Sequence, residues 1–127
     1  MTATTNTDRT QTVPSHDGPH VLPNNPLFTR LLRHAHQSRI ALKDRLLGVS
    51  KTYGELLDAV LALREVLRET LPSKVQRRLR NGDEVYVGVL AAGGYEFTVA
   101  VLAVLALGAA VVPMCAYILQ FTMSFIN

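Results

Sequence analysis

An α/β fold is predicted by three features of this 127-residue chain. Two apolar runs, Val85 to Leu90 and Ala110 to Pro113, bracket a helical stretch from Tyr95 to Leu107, with short loops between them. Upstream, a capping-box pair opens a long amphipathic pattern at Thr52, and a turn containing Gly48 separates two short strand-like runs. Strand, helix and strand in that order imply a right-handed crossover joining a parallel pair. The length allows one small core.

The first 25 residues hold Thr2, Thr4, Thr5, Thr7, Thr10 and Thr12 among Asn, Ser and Pro, with almost no large apolar side chain. Such a stretch cannot bury enough surface to offset the entropy of ordering it, so residues 1–25 are expected to be a disordered tail. Neither a secretory signal nor a mitochondrial presequence is expected: the start has no apolar core, and Arg9 stands alone beside Asp8 and Asp17. The closing Ser124-Phe125-Ile126-Asn127 is no peroxisomal address.

Asn25 before Pro26 is an N-cap and first helical residue, and Leu27, Leu31, Leu32 and Ala35 recur at helical spacing to about His36. Arg39 to Asp44 and Val49 to Thr52 make a small hairpin. Thr52 and Glu55, three residues apart, can each accept a hydrogen bond from the other's backbone, so a helix begins at Tyr53. Leu56, Val60, Leu63, Leu67 and Leu71 form its apolar stripe, with Asp58, Arg64, Glu65, Arg68 and Glu69 largely off it. Pro72 ends the run, the basic segment Lys74 to Arg80 reads as a solvated connector, and Asn81-Gly82-Asp83 supplies turn chemistry. Val85 to Leu90 reads as a buried strand, Ala91 to Gly94 as a loop, and Gly108 as the residue closing the next helix.

Composition excludes several function classes. Hydrophobic residues at 48% rule out wholesale disorder, and one cysteine rules out a disulfide scaffold or a multi-cysteine zinc site. A net charge of +3 is small for a nucleic-acid binder, and no nucleic-acid partner is expected. Charge is also unevenly spread: from Val85 to Asn127 only Glu96 is a charged acid or base. Phe97, Val99, Val101, Leu102, Val104, Leu105, Leu107, Val111 and Val112 represent roughly 14 to 27 kcal/mol of gross burial. That rivals or exceeds the net stability of a whole domain, about 5 to 15 kcal/mol, so something must cover them. A protein interior is the favoured cover, because Gly108 and Pro113 punctuate the run and Val111-Val112 suit a strand. The rival is lipid, since the uncharged stretch continues through Ile126.

No residue stands out as catalytic, cofactor-binding or metal-binding. His34 and His36 are two apart on a helix and point in different directions, while His16 and His20 sit in the tail. Cys115 lies in an apolar run without a neighbouring acid or base, as a buried inert thiol would. Lys74 to Arg80 has no aromatic platform beside it. Gly88, Gly93 and Gly94 spell neither a dinucleotide fingerprint nor a Walker loop, and suit a tight strand-to-helix turn instead. Tyr53 reads as a surface or half-buried aromatic at a helix start.

In combination the segments carry a resemblance. Ile40-Ala41-Leu42-Lys43-Asp44, Lys51-Thr52-Tyr53-Gly54-Glu55-Leu56, Asn81-Gly82-Asp83-Glu84-Val85, Gly94-Tyr95-Glu96-Phe97 and Ala103 to Pro113 occur in an order and spacing that resemble the start of the adenylate-forming, AMP-binding acyl-CoA synthetases. The entry Pro26-Leu27-Phe28 is similar to that of malonyl- or medium-chain acyl-CoA synthetases. The resemblance covers residues 26–114 and stops there, leaving 115–127 as a non-matching hydrophobic tail.

The resemblance implies a fragment of the large N-terminal domain of that fold, built of a helix, a hairpin, a long helix and one βαβ unit. It implies a ligase joining a carboxylic acid, ATP and coenzyme A into acyl-CoA, AMP and pyrophosphate, tied to fatty acid metabolism. ATP, Mg and CoA are implied for the full-length family, but its phosphate loop, metal carboxylate and catalytic lysine have no counterpart in this stretch. The chain is therefore expected to be an N-terminal portion, as a retained intron, alternative splice or imperfect gene model would leave it, and inactive alone. Its expected partners are the remainder or relatives of a full-length synthetase, and its expected compartment is the cytoplasm. Two alternatives stay open: a small membrane-associated protein anchored by its C-terminal third, and a non-catalytic interaction protein docking through an uncovered apolar helix.

Overall fold

The computed structural model describes residues 22–114. The tail over 1–21, with His16 and His20, lies outside the described residues, as do Cys115 and the 115–127 tail. The elements run α1 (Pro26–Ala35), β1 (Ile40–Asp44), β2 (Val49–Thr52), α2 (Tyr53–Thr70), α3 (Ser73–Arg80), β3 (Tyr86–Leu90), α4 (Tyr95–Ala106) and β4 (Ala110–Met114). The α/β class is observed.

Local chemistry accounts for most boundaries. Asn25 Oδ1 accepts the Leu27 amide at 2.8 Å and opens α1. At α2 the capping box is closed: the Thr52 amide donates to Glu55 Oε2 at 2.8 Å, and the Glu55 amide donates to Thr52 Oγ1 at 3.3 Å. The Thr52 amide, foremost, holds the Glu55 carboxyl below its ordinary pKa. Strands β1 and β2 pair antiparallel, with an irregularity between Ile40 and Leu42. Strands β3 and β4 pair parallel, Tyr86 opposite Ala110 and Leu90 opposite Met114. Gly108, at φ 84, ends α4 in the left-handed region and turns the chain into β4.

Two apolar clusters share α4. Phe28 and Leu31 from α1, Leu56 and Val60 from α2, and Val99, Ala103 and Ala106 from α4 form the first, with half-buried Leu22 packed on it. Val85, Val89, Val104 and Ala109 form the second, backed by half-buried Val75 and Leu79 of α3. Helix α4 faces apolar partners on two sides, which is why its sequence has no polar stripe.

Three expectations are corrected. Arg64 is not off the buried face of α2: it is fully buried, because it follows Leu57 by seven residues and Val60 by four and so shares their side. Its Nη2 lies 3.2 Å from Glu65 Oε1. The basic segment is a helix rather than a connector. Val75 and Leu79, four apart, pack inward, Arg77, Arg78 and Arg80 lie in its last turn where the helix dipole favours cations, and Gln76 Nε2 donates to Leu71 O at 2.7 Å. Finally, β3 is buried on one face only: Val89 is covered, while Tyr86 and Leu90 are 65% and 49% exposed.

Candidate functional site

The residues weighed from sequence do not converge. His34 is half-buried, its ring 5.2 Å from that of Tyr53, while His36 is exposed just past the end of α1. Tyr53 is half-buried and packs on the first cluster. Lys74, Arg77, Arg78 and Arg80 are exposed on α3, and Arg78 Nη2 donates to Glu84 O at 2.7 Å, bracing the turn before β3. Among the described residues, no three His, Cys, Asp or Glu side chains gather as a metal site would require.

The glycine-bearing turn between β3 and α4 is where an open parallel sheet would offer an anion cradle. Here that place is taken by a carboxylate of the chain itself. Asp44, 7% exposed, ends β1, and its Oδ2 accepts the Tyr95 amide at 2.9 Å. Oδ1 accepts the amides of Leu46 at 3.0 Å and Leu47 at 3.1 Å. These donors, Tyr95 foremost, hold the Asp44 carboxyl below its ordinary pKa. A Cβ at Gly94 would collide with the Asp44 carboxylate, and φ 103 with ψ −140 is backbone that glycine alone adopts readily. Lys51 Nζ, 5.8 Å from the centre of the Tyr95 ring, adds a second link from hairpin to helix. The glycine turn therefore serves a tie between hairpin and α4. A nucleotide phosphate there would meet the fixed negative charge of Asp44, so these residues do not fit ATP.

The pairing of Asp44 with Tyr95 spans 51 positions. No local pattern announces it.

The one broad feature left over is a sheet face. Cluster residues and α4 cover Val87 and Val89 of β3, whereas Tyr86, Gly88 and Leu90 alternate to the other side. On that side lie Ala110, Val112 and Met114 of β4, with Val112 43% and Met114 45% exposed. Met114 Sδ occupies the space where a side chain at Gly88 would sit. Its strand residues are uncharged, with the Glu84 carboxylate at its edge accepting the Tyr86 hydroxyl at 3.1 Å, and neither strand has a second neighbour among the described residues. Parallel sheets are ordinarily covered on both faces, and two strands alone are marginal. Among the described residues the uncovered apolar element is the sheet, not a helix: α4 buries Val99, Ala103, Val104 and Ala106.

Comparison with curated proteins finds a relative, the acyl-CoA ligase oryP of Aspergillus oryzae. It is 39% identical over 95 residues, covering 71% of this chain and 16% of that protein. Over part of its length the chain is thus related to acyl-CoA ligases, and it spans about one-sixth of the relative it matches. No family model matches the chain. No solved structure matches it. Among the described residues, no helix is long and apolar enough to cross a membrane.

Proposed function

We propose that this chain supplies scaffold from the N-terminal domain of an adenylate-forming acyl-CoA ligase and does not perform the reaction by itself. The observation that carries the reading is the 39% identity to an acyl-CoA ligase over 95 residues. The open sheet face supports it, because an element shaped for the interior of a larger α/β domain leaves such a face when taken alone. In the proposed complete enzyme a carboxylate attacks the α-phosphate of ATP, giving acyl-adenylate and pyrophosphate; the thiol of CoA then takes the acyl group and AMP leaves. The groups that bind ATP, Mg and CoA belong to the rest of that enzyme. This chain's contribution is to hold α4, β3 and β4 in register through the Asp44 tie and the shared core.

Two measurements test the proposal. Purified chain with ATP, Mg, labelled pyrophosphate and a panel of carboxylic acids is expected to show no acid-dependent exchange above blank; exchange above blank overturns the inactive reading. A chimera in which residues 22–114 replace the matched stretch of the Aspergillus oryzae ligase is expected to exchange pyrophosphate with the acids the parent ligase uses. A soluble but inactive chimera overturns the scaffold reading.

A further inference from the structure

Positive charge in this chain is concentrated in one short helix. Thirteen Lys and Arg stand against ten Asp and Glu; four of the bases and none of the acids lie in α3, so elsewhere acids outnumber bases. Val75 and Leu79 turn one side of α3 into the second cluster. Lys74, Arg77 and Arg80 recur every third residue on the side away from that cluster, over about 9 Å of helix, and all three are exposed. No ion pair among the described residues involves them; those present join Glu65 to Arg64 and Arg68 on α2. The acids nearest in sequence leave the row uncovered as well. Glu84 Oε2 accepts the Tyr86 hydroxyl at 3.1 Å, at the edge of the sheet, while Asp83 and Glu69 are exposed and make no ion pair with the row. Arg78 is set apart, its Nη2 donating to the Glu84 carbonyl.

The make-up of the row selects its partner. A specific protein interface is anchored by apolar or aromatic side chains at its centre, and the outward side of α3 adds only Ser73 to the three cations. Single-stranded nucleic acid is held by aromatic rings beside the cations, and α3 has none. A duplex presents phosphates at fixed spacing along a rod, and a chain total of +3 is small for that task. An anionic leaflet asks for charge alone, and its lipids move sideways to gather beneath three cations wherever these sit. We propose that the row Lys74, Arg77 and Arg80 of α3 docks on the surface of an anionic phospholipid membrane. Because Val75 and Leu79 stay in the core, α3 rests on that surface without inserting. This inference does not depend on the ligase reading.

The test is co-sedimentation of the 127-residue chain with phosphatidylcholine vesicles, with and without phosphatidylserine at about one-third of the lipid, in roughly 0.1 M salt. Each cation near such a surface favours binding roughly five-fold, so the chain is expected to prefer the anionic vesicles on the order of a hundred-fold. That preference is expected to vanish at about 1 M salt. Arg77→Gln with Arg80→Gln is expected to cut it roughly thirty-fold. Arg30→Gln with Arg33→Gln removes the same charge from exposed sites on α1 and is expected to leave it within about two-fold. Arg77→Lys with Arg80→Lys is expected to bind like the parent, which also shows that changes at these sites leave the chain folded. Equal binding to neutral and anionic vesicles overturns the inference. So does an equal loss in the two Gln pairs, which makes total charge rather than α3 the cause. A Lys pair that fails to bind overturns it too, since the row would then be a shaped anion site rather than a charged surface. Tighter binding to duplex DNA than to the anionic vesicles, at equal phosphate and the same salt, makes nucleic acid the partner and likewise overturns it.

Discussion

Among the described residues, the core on one side of α4 is closed and that on the other is covered on one sheet face only. The first side has two layers of helix, with Phe28, Val60 and Ala103 almost wholly withdrawn from water. On the second side α4 and α3 cover only one face of the β3–β4 pair, through Val89, Val104 and Ala109. The difference lies in the geometry of the elements. A helix is satisfied by one apolar stripe packed inward, and α1 and α2 turn their remaining residues to solvent. A strand with apolar residues at every position has two faces to bury, and no element among the described residues covers the second.

The comparison breaks most severely at the closed side. Phe28→Ala removes the largest apolar side chain that is fully buried and is expected to cost about 3 to 5 kcal/mol, read as a lower urea midpoint at unchanged slope. The tie between the two sides comes next. Gly94→Ala places an ordinary residue in backbone that costs about 1 to 3 kcal/mol and pushes into Asp44 as well, so its loss should exceed that of Gly82→Ala, where nothing lies within 4 Å.

Asp44 also sets an acid dependence. Its folded pKa is lowered, so the stability its ionised form brings is complete above the ordinary carboxylate value, about 4, and is lost as pH falls through the depressed folded value. Asp44→Asn should give a less stable chain whose melting temperature falls less steeply on the acid side. Smaller still, Thr52→Ala removes half of the capping box and is expected to cost about 1 kcal/mol by the same urea titration. At the far end of the scale, Leu90→Lys on the open face should change the isolated chain by no more than about 0.5 kcal/mol. A larger loss would show that the two sides are not as unequal as described.

What could be read in advance follows the same division between local and distant chemistry. The Asn25 cap, the Thr52–Glu55 box, the hairpin and the β3–α4–β4 succession are all signalled within a few residues, and each was legible. Helix α3 was not, because Pro72 at its start provides no side-chain cap and two apolar residues are too few to show a period among six polar ones. Arg64 misled because charge usually marks a solvent face, while its position on α2 shares the buried side of Leu57 and Val60. The open face of β3 was hidden by composition: a continuous apolar run looks the same whether one side or both are covered. The Asp44 tie joins residues too far apart for any local pattern, and so the role of the glycine turn became clear only in three dimensions.

The carboxylate of Asp44 gathers donors from two moments of biosynthesis. The amides of Leu46 and Leu47 leave the ribosome almost with it, whereas that of Tyr95 arrives some fifty residues later. One side chain thus joins a local turn to a long-range latch, and exchange of the Tyr95 amide reports how often that latch opens.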